Sequence, residues 1–108
     1  MSDPLGQERA AALAQIAALT REFDEVVAAS RASNADDEHD PEGATIAFER
    51  QQVVALLEQA RRRLADVEAA VRNVEAGIYG ICETCGRPIA PERLAARPSA
   101  RTCIDCAR

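Results

Sequence analysis

Four cysteines, the only ones in the chain, lie in its last quarter: Cys82 and Cys85 with two residues between them, then Cys103 and Cys106 with two. A thiolate is a soft anionic ligand, and two intervening residues let one tight turn aim both sulfurs at a single ion. Two such pairs separated by seventeen residues have the spacing of a four-thiolate zinc ribbon. Four sulfurs complete a tetrahedron and leave no open position, so the expected group is one structural Zn2+ that does not activate water. Gly86, directly after the second cysteine, permits the backbone conformation that such a turn requires. A disulfide framework would need an oxidising compartment, and a redox pair would need a βαβ context that the pattern lacks. His39 stands some forty residues away from a set that already has four ligands, and it reads as a solvated loop residue.

Between the two pairs, "APERLAARP" reads as one short helix with Pro91 at its start and Pro98 ending it. Arg93 and Arg97 are four apart and share a face, while Leu94 is expected to pack towards Ile89 and the hairpin base. A finger of this size has little core of its own, so metal binding should supply much of its folding free energy.

The preceding residues must position this finger, and their pattern is helical. Over about Pro4 to Ala32, the positions Leu13, Ile16, Thr20, Phe23, Val27 and Ser30 alternate spacings of three and four along one face. Pro4 suits a first helical turn, and Asp3 is placed to cap it. The segment "SNADDEHDPEGAT", Ser33 to Thr45, breaks the pattern and reads as a turn. A second seam follows: Ile46, Arg50, Val53, Leu57, Ala60, Leu64, Val67, Val71, Val74 and Ile78, a heptad interrupted at Arg50. Asp40-Pro41-Glu42 marks its start, and Gly77 and Gly80 mark its end.

The predicted fold is mainly α: an antiparallel two-helix coiled-coil hairpin over residues 1–77, followed by a small four-cysteine finger over 78–108. Each arm of about 30 residues spans roughly 45 Å at 1.5 Å per residue. The turn, about 33–45, is then expected at the tip, with the cysteines at the base. Because the hairpin satisfies its own seam, the chain is expected to be monomeric.

The tip carries Asp36, Asp37, Glu38, Asp40 and Glu42, five acids in seven residues. Helix capping and solubility account for Asp40 and Glu42. Concentrated carboxylates at Asp36, Asp37 and Glu38 repel one another, and they also suit a surface that meets magnesium or arginine.

Composition narrows the classes further. Aromatics are 3% of 108 residues against 47% hydrophobics, so the core must be thin and rich in alanine, leucine and valine. Every basic side chain is arginine, and the net charge is −5. Residues 1–42 set three arginines against ten acids, whereas 43–108 set ten arginines against eight. The acidic balance argues against DNA coating, and no basic recognition run is present. Arg61-Arg62-Arg63 fans around a helix and reads as a solvated face. No nucleophile–base pair or open metal position suggests an enzyme. No signal peptide or membrane span is visible, which points to a cytoplasmic protein.

The stretch "GIYGICETCGRPIAPERLAARPSARTCIDCAR", Gly77 to Arg108, resembles the finger of the DksA/TraR family of bacterial RNA polymerase regulators. An aromatic-Gly-x-Cys opening, "RLxARP" in the middle and "CIxC" at the close carry the likeness, which extends back to about Asp36. The resemblance implies binding at the rim of the polymerase secondary channel. It further implies a coiled coil reaching inward and an acidic tip near the active site that alters open-complex stability. The tip candidates are Asp36, Asp37, Asp40, Glu42 and Ala44. Counted along "DEHDPE", Asp37 and Asp40 take the family's Asp-x-x-Asp spacing, with Glu42 where alanine is expected. Counted back from Cys82, the second Asp and the Ala fall on Glu42 and Ala44, and the first Asp falls on His39.

The resemblance also implies the alarmone ppGpp as a cooperating ligand, with Arg93 and Arg97 as the candidate contacts to ppGpp or the polymerase rim. Arg97 matches the family's finger arginine, while Ala107 and Asp66 stand where basic residues are expected. With two residues following Cys106, the family's C-terminal helix is expected to be missing. The competing expectation is a zinc-ribbon adaptor whose coil binds another helix without polymerase. Neutralising Asp37 and Asp40 separates the two, because only a channel probe depends on them.

Overall fold

A computed structural model describes residues 3–33 and 41–107, apart from the side chains of 33 and 41–43. Two long helices pack together: α1, Pro4–Ser33, and α2, Pro41–Ala76. A third, α3, Pro91–Ala96, lies in the finger. Among the described residues there is no strand beyond an isolated bridge between Ile81 and Pro88. None of the described helices is long and apolar enough to cross a membrane.

Helix ends follow from local chemistry. Asp3 caps α1 as expected, its carboxylate accepting the Gly6 N–H at 3.1 Å. At the other end of α2, Gly77 adopts φ 75°. The Gly77 N–H reaches Val74 O at 3.1 Å and the Ile78 N–H reaches Asn73 O at 2.9 Å, so two orphan carbonyls are satisfied as the helix stops. α2 begins at Pro41, where Asp40-Pro41-Glu42 marks its start, so Ser33 and Pro41–Thr45, read as part of the turn, are helical. Proline at the first helical position is preset for the helix and loses no needed N–H.

The chain divides into two compact units, Ala12–Arg61 and Met1–Ala11 with Arg62–Arg108. In the first, Leu19, Val53, Leu57 and Ala60 form the core, flanked by half-buried Ile16 and Phe23. Fully burying a leucine or valine contributes about 1.5–3 kcal/mol, so this thin seam holds its helices by several modest terms.

The α2 seam is seated as expected from Ile46 to Val71 with Arg50 exposed, but Val74 and Ile78 are about half exposed at 51% and 52%. The α1 face is shifted. Ala12, Leu19 and Val26 are buried; of the expected face Ile16, Phe23, Val27 and Ser30 are half-buried, whereas Leu13 is 40% exposed and Thr20 is exposed. With Ile16, Phe23 and Ser30 interleaved, the buried set alternates threes and fours as the expected one does, so the spacing alone does not choose between them. Thr20 satisfies its hydroxyl locally by donating to Ile16 O at 2.7 Å.

In the second unit, Val67, Ala69 and Ala70 of α2 are buried, as are Cys82 and Ile89 of the finger. Glu8 of α1 pairs with Arg63 of α2 at 3.8 Å.

Candidate metal centre

The first cysteine pair sits on a tight hairpin. Cys82 N–H donates to Arg87 O at 2.8 Å and Ile89 N–H to Gly80 O at 2.7 Å, closing the two sides around the turn. Gly86, at φ 75°, donates its N–H back to Cys82 O at 2.9 Å. This is the left-handed position that its place after Cys85 predicts. The second pair closes through Cys106 N–H and Ala107 N–H, both directed at Cys103 O. The Glu83 N–H then joins the two turns by donating to Arg101 O at 2.9 Å.

This folding brings all four cysteines together. The sulfurs of Cys82, Cys85, Cys103 and Cys106 lie within 4.8 Å of one another. Cys85 Sγ and Cys103 Sγ stand 3.8 Å apart. A tetrahedral ion with bonds of about 2.3 Å has sulfur–sulfur edges of about 3.8 Å, so the set fits one structural zinc. Cys82 is the buried member, and the Cys85 N–H points at its sulfur at 3.5 Å.

The electrostatics suit a cation. Backbone N–H groups, first that of Cys85 and then that of Cys103, pull the Cys82 thiol down to about 6. Hydrogen bonding with Cys103, then desolvation, pushes Cys106 up to about 12. Four thiolates at this distance repel too strongly to coexist without a positive charge at their centre. Zn2+ would supply that charge, held by these four residues and closed to water.

α3 follows the first turn and contains no buried residue. Leu94 is half-buried, within 3.2 Å of where a Cβ on Gly80 would stand. Ile89 is the buried apolar side chain of the finger. Tyr79 donates its hydroxyl to Pro98 O at 2.9 Å. Burial, and then the nearby Glu8 carboxylate, raise its pKa and keep that donor neutral.

The two candidate arginines part company. Arg93 is half-buried and donates Nε to Thr102 O at 2.9 Å, so it serves the finger itself. Arg97 caps α3 through its backbone N–H to Arg93 O, and it is exposed. Of the tip candidates, Asp36, Asp37 and Asp40 lie outside the described residues, as does His39. Glu42 lies in the first turn of α2, and Ala44 is exposed on it.

Sequence reading missed Arg101. Its Nε donates to Glu83 at 2.9 Å and its Nη1 to Asp66 of α2 at 3.2 Å. The signal lay in Glu83 following Cys82 and Arg101 preceding Cys103 by two, which become neighbours only once the thiols converge.

A family model described as the prokaryotic dksA/traR C4-type zinc finger matches residues 77–108. Among curated proteins, YteA of Bacillus subtilis (strain 168) is 42% identical over 72 residues, covering 67% of this chain and 30% of that protein. The RNA polymerase-binding transcription factor DksA of Escherichia coli (strain K12) is 41% identical over 49 residues, covering 45% of this chain and 32% of that protein. These matches therefore span about a third of each relative's length. Among solved structures, transcription factor DksA2 from Pseudomonas aeruginosa is similar with a TM-score of 0.55 and 26% identity. That likeness covers 95% of this chain and 79% of the other.

Proposed function

The chain belongs to the DksA/TraR zinc-finger family, and on that premise we propose that it binds bacterial RNA polymerase and regulates transcription without being an enzyme. The observation that carries this reading is the pairing of a four-thiolate finger with a two-helix hairpin, in a chain similar over 95% of its length to a solved DksA2. The four thiols close the metal site to water, so the finger is a structural support and offers no reacting position.

In finer terms, the protein engages the polymerase secondary channel. Asp36, Asp37, Asp40, Glu42 and Ala44 are presented towards the catalytic centre, where carboxylates alter the stability of the open complex. On the finger, the exposed guanidinium of Arg97 is the contact to the polymerase rim, because Arg93 is already bonded to Thr102. The chain acts as a monomer in the cytoplasm, and ppGpp is an added variable of the same assay. The adaptor reading draws on Phe48, which is 61% exposed on α2 and is the kind of side chain a partner helix would cover.

The test is the lifetime of open complexes formed by the cognate polymerase on a ribosomal RNA promoter. Three samples are compared: no added protein, wild type, and the Asp37→Asn/Asp40→Asn double variant, each with and without ppGpp. The expected outcome is a changed lifetime with wild type that the double variant fails to produce. An unchanged lifetime together with undetectable polymerase binding would leave the adaptor reading in place, and Phe48→Ala would then be the next variant.

A further inference from the structure

Three segments that are remote in sequence meet at one guanidinium. Arg101 lies two residues before Cys103, Glu83 lies inside the Cys82–Cys85 turn, and Asp66 lies on α2. Arg101 Nε and Nη1 reach the two carboxylates at 2.9 and 3.2 Å, while its own carbonyl accepts the Glu83 N–H. The backbone bond fixes Arg101 beside the first turn, and the side chain reaches from there to the helix.

This arrangement requires the two cysteine turns to be side by side, and convergence of the four thiols on one ion imposes that. A finger stripped of metal has four mutually repelling or protonated thiols and, among the described residues, one backbone bond between its turns, Glu83 N–H to Arg101 O. Without an ion to hold the turns together, Glu83 would lose its hold on the Arg101 guanidinium, and Arg101 its alignment with Asp66.

We propose that Arg101 is a metal-dependent latch: the loaded finger presents it to Asp66 and so docks itself on helix α2. Linkage makes the effect reciprocal. If metal loading favours the Arg101–Asp66 pair, the pair tightens metal binding by the same free energy, and a tighter site is expected to lose its metal more slowly. The three side chains are between 41% and 48% exposed, so water and salt screen them and the effect is modest. The inference rests on the zinc site and is independent of any binding to polymerase.

The test follows zinc transfer from the full-length, loaded chain to a chromogenic chelator. Wild type, Asp66→Asn, Arg101→Gln and the double variant are compared at low salt and at high salt. Asp66→Asn should release zinc about two- to fivefold faster at low salt, the range expected of a partly exposed ion pair. That difference should vanish at high salt and in the Arg101→Gln background. Asp66→Asn leaves every finger residue in place, so the salt comparison stands even if Arg101→Gln fails to load metal. Release at the wild-type rate at low salt would overturn the latch. So would an acceleration that persists undiminished when Arg101 is already glutamine.

Discussion

The Ala12–Arg61 unit and the finger order chains of comparable poverty in large side chains by opposite means. In the first, Leu19, Val53, Leu57 and Ala60 share the burden along a seam, and each contributes a little. In the finger, α3 has no fully buried residue, and order comes from four thiols, a handful of backbone bonds and one buried isoleucine. A seam fails gradually as side chains are trimmed, whereas a metal centre fails at any one ligand. A finger this short could not assemble an apolar core, so the second device is the one open to it.

The largest effect should come from Cys85→Ser. Structural zinc in finger peptides binds with about 10–16 kcal/mol of apparent free energy near neutral pH, and a serine hydroxyl is a poor replacement for a thiolate. Zinc retained after exposure to a chelator, measured by atomic emission, should fall from one equivalent to none while the helical circular dichroism signal largely survives. Full retention of zinc would break the comparison at the finger.

Next in size is Leu57→Ala, which opens a gap in the seam. Removing a buried leucine side chain costs about 2–5 kcal/mol, and a thin core places this case near the low end. The helical melting midpoint should drop by about 10 °C, with zinc stoichiometry unchanged. A loss of zinc in this variant would mean that the two units do not fail separately.

A smaller change sharpens the contrast from the finger side. Gly86 holds φ 75°, and a Cβ added there would meet nothing within 4 Å. Gly86→Ala therefore costs only the left-handed backbone conformation, about 1–2 kcal/mol. Zinc release should quicken while the helical melting midpoint stays put. A shifted midpoint with unaltered release would reverse that assignment.

The cysteine turns were legible in the sequence because ligand spacing is a local constraint: two residues, a glycine and a second pair leave little freedom. The helix boundaries at Asp3, Pro41 and Gly77 were legible for the same reason, since capping chemistry acts within one turn. The face of α1 was not. Ala12 and Leu13 are both apolar, and the choice between them depends on how closely the facing helix approaches. Arg101 was hidden more deeply, because its partners at Glu83 and Asp66 become neighbours only after the metal-binding turns have converged.

Hydrogen exchange, read with the chain loaded and then stripped of zinc by a chelator, tests most directly whether different forces hold the two regions. The amides to compare are those of Cys82, Glu83 and Ile89, bonded within the finger, against those of Val53 to Ala60 in α2. Chelation should collapse protection at the first three and leave the α2 amides protected. Collapse of both sets together, or a finger that stays protected without its metal, would contradict the account.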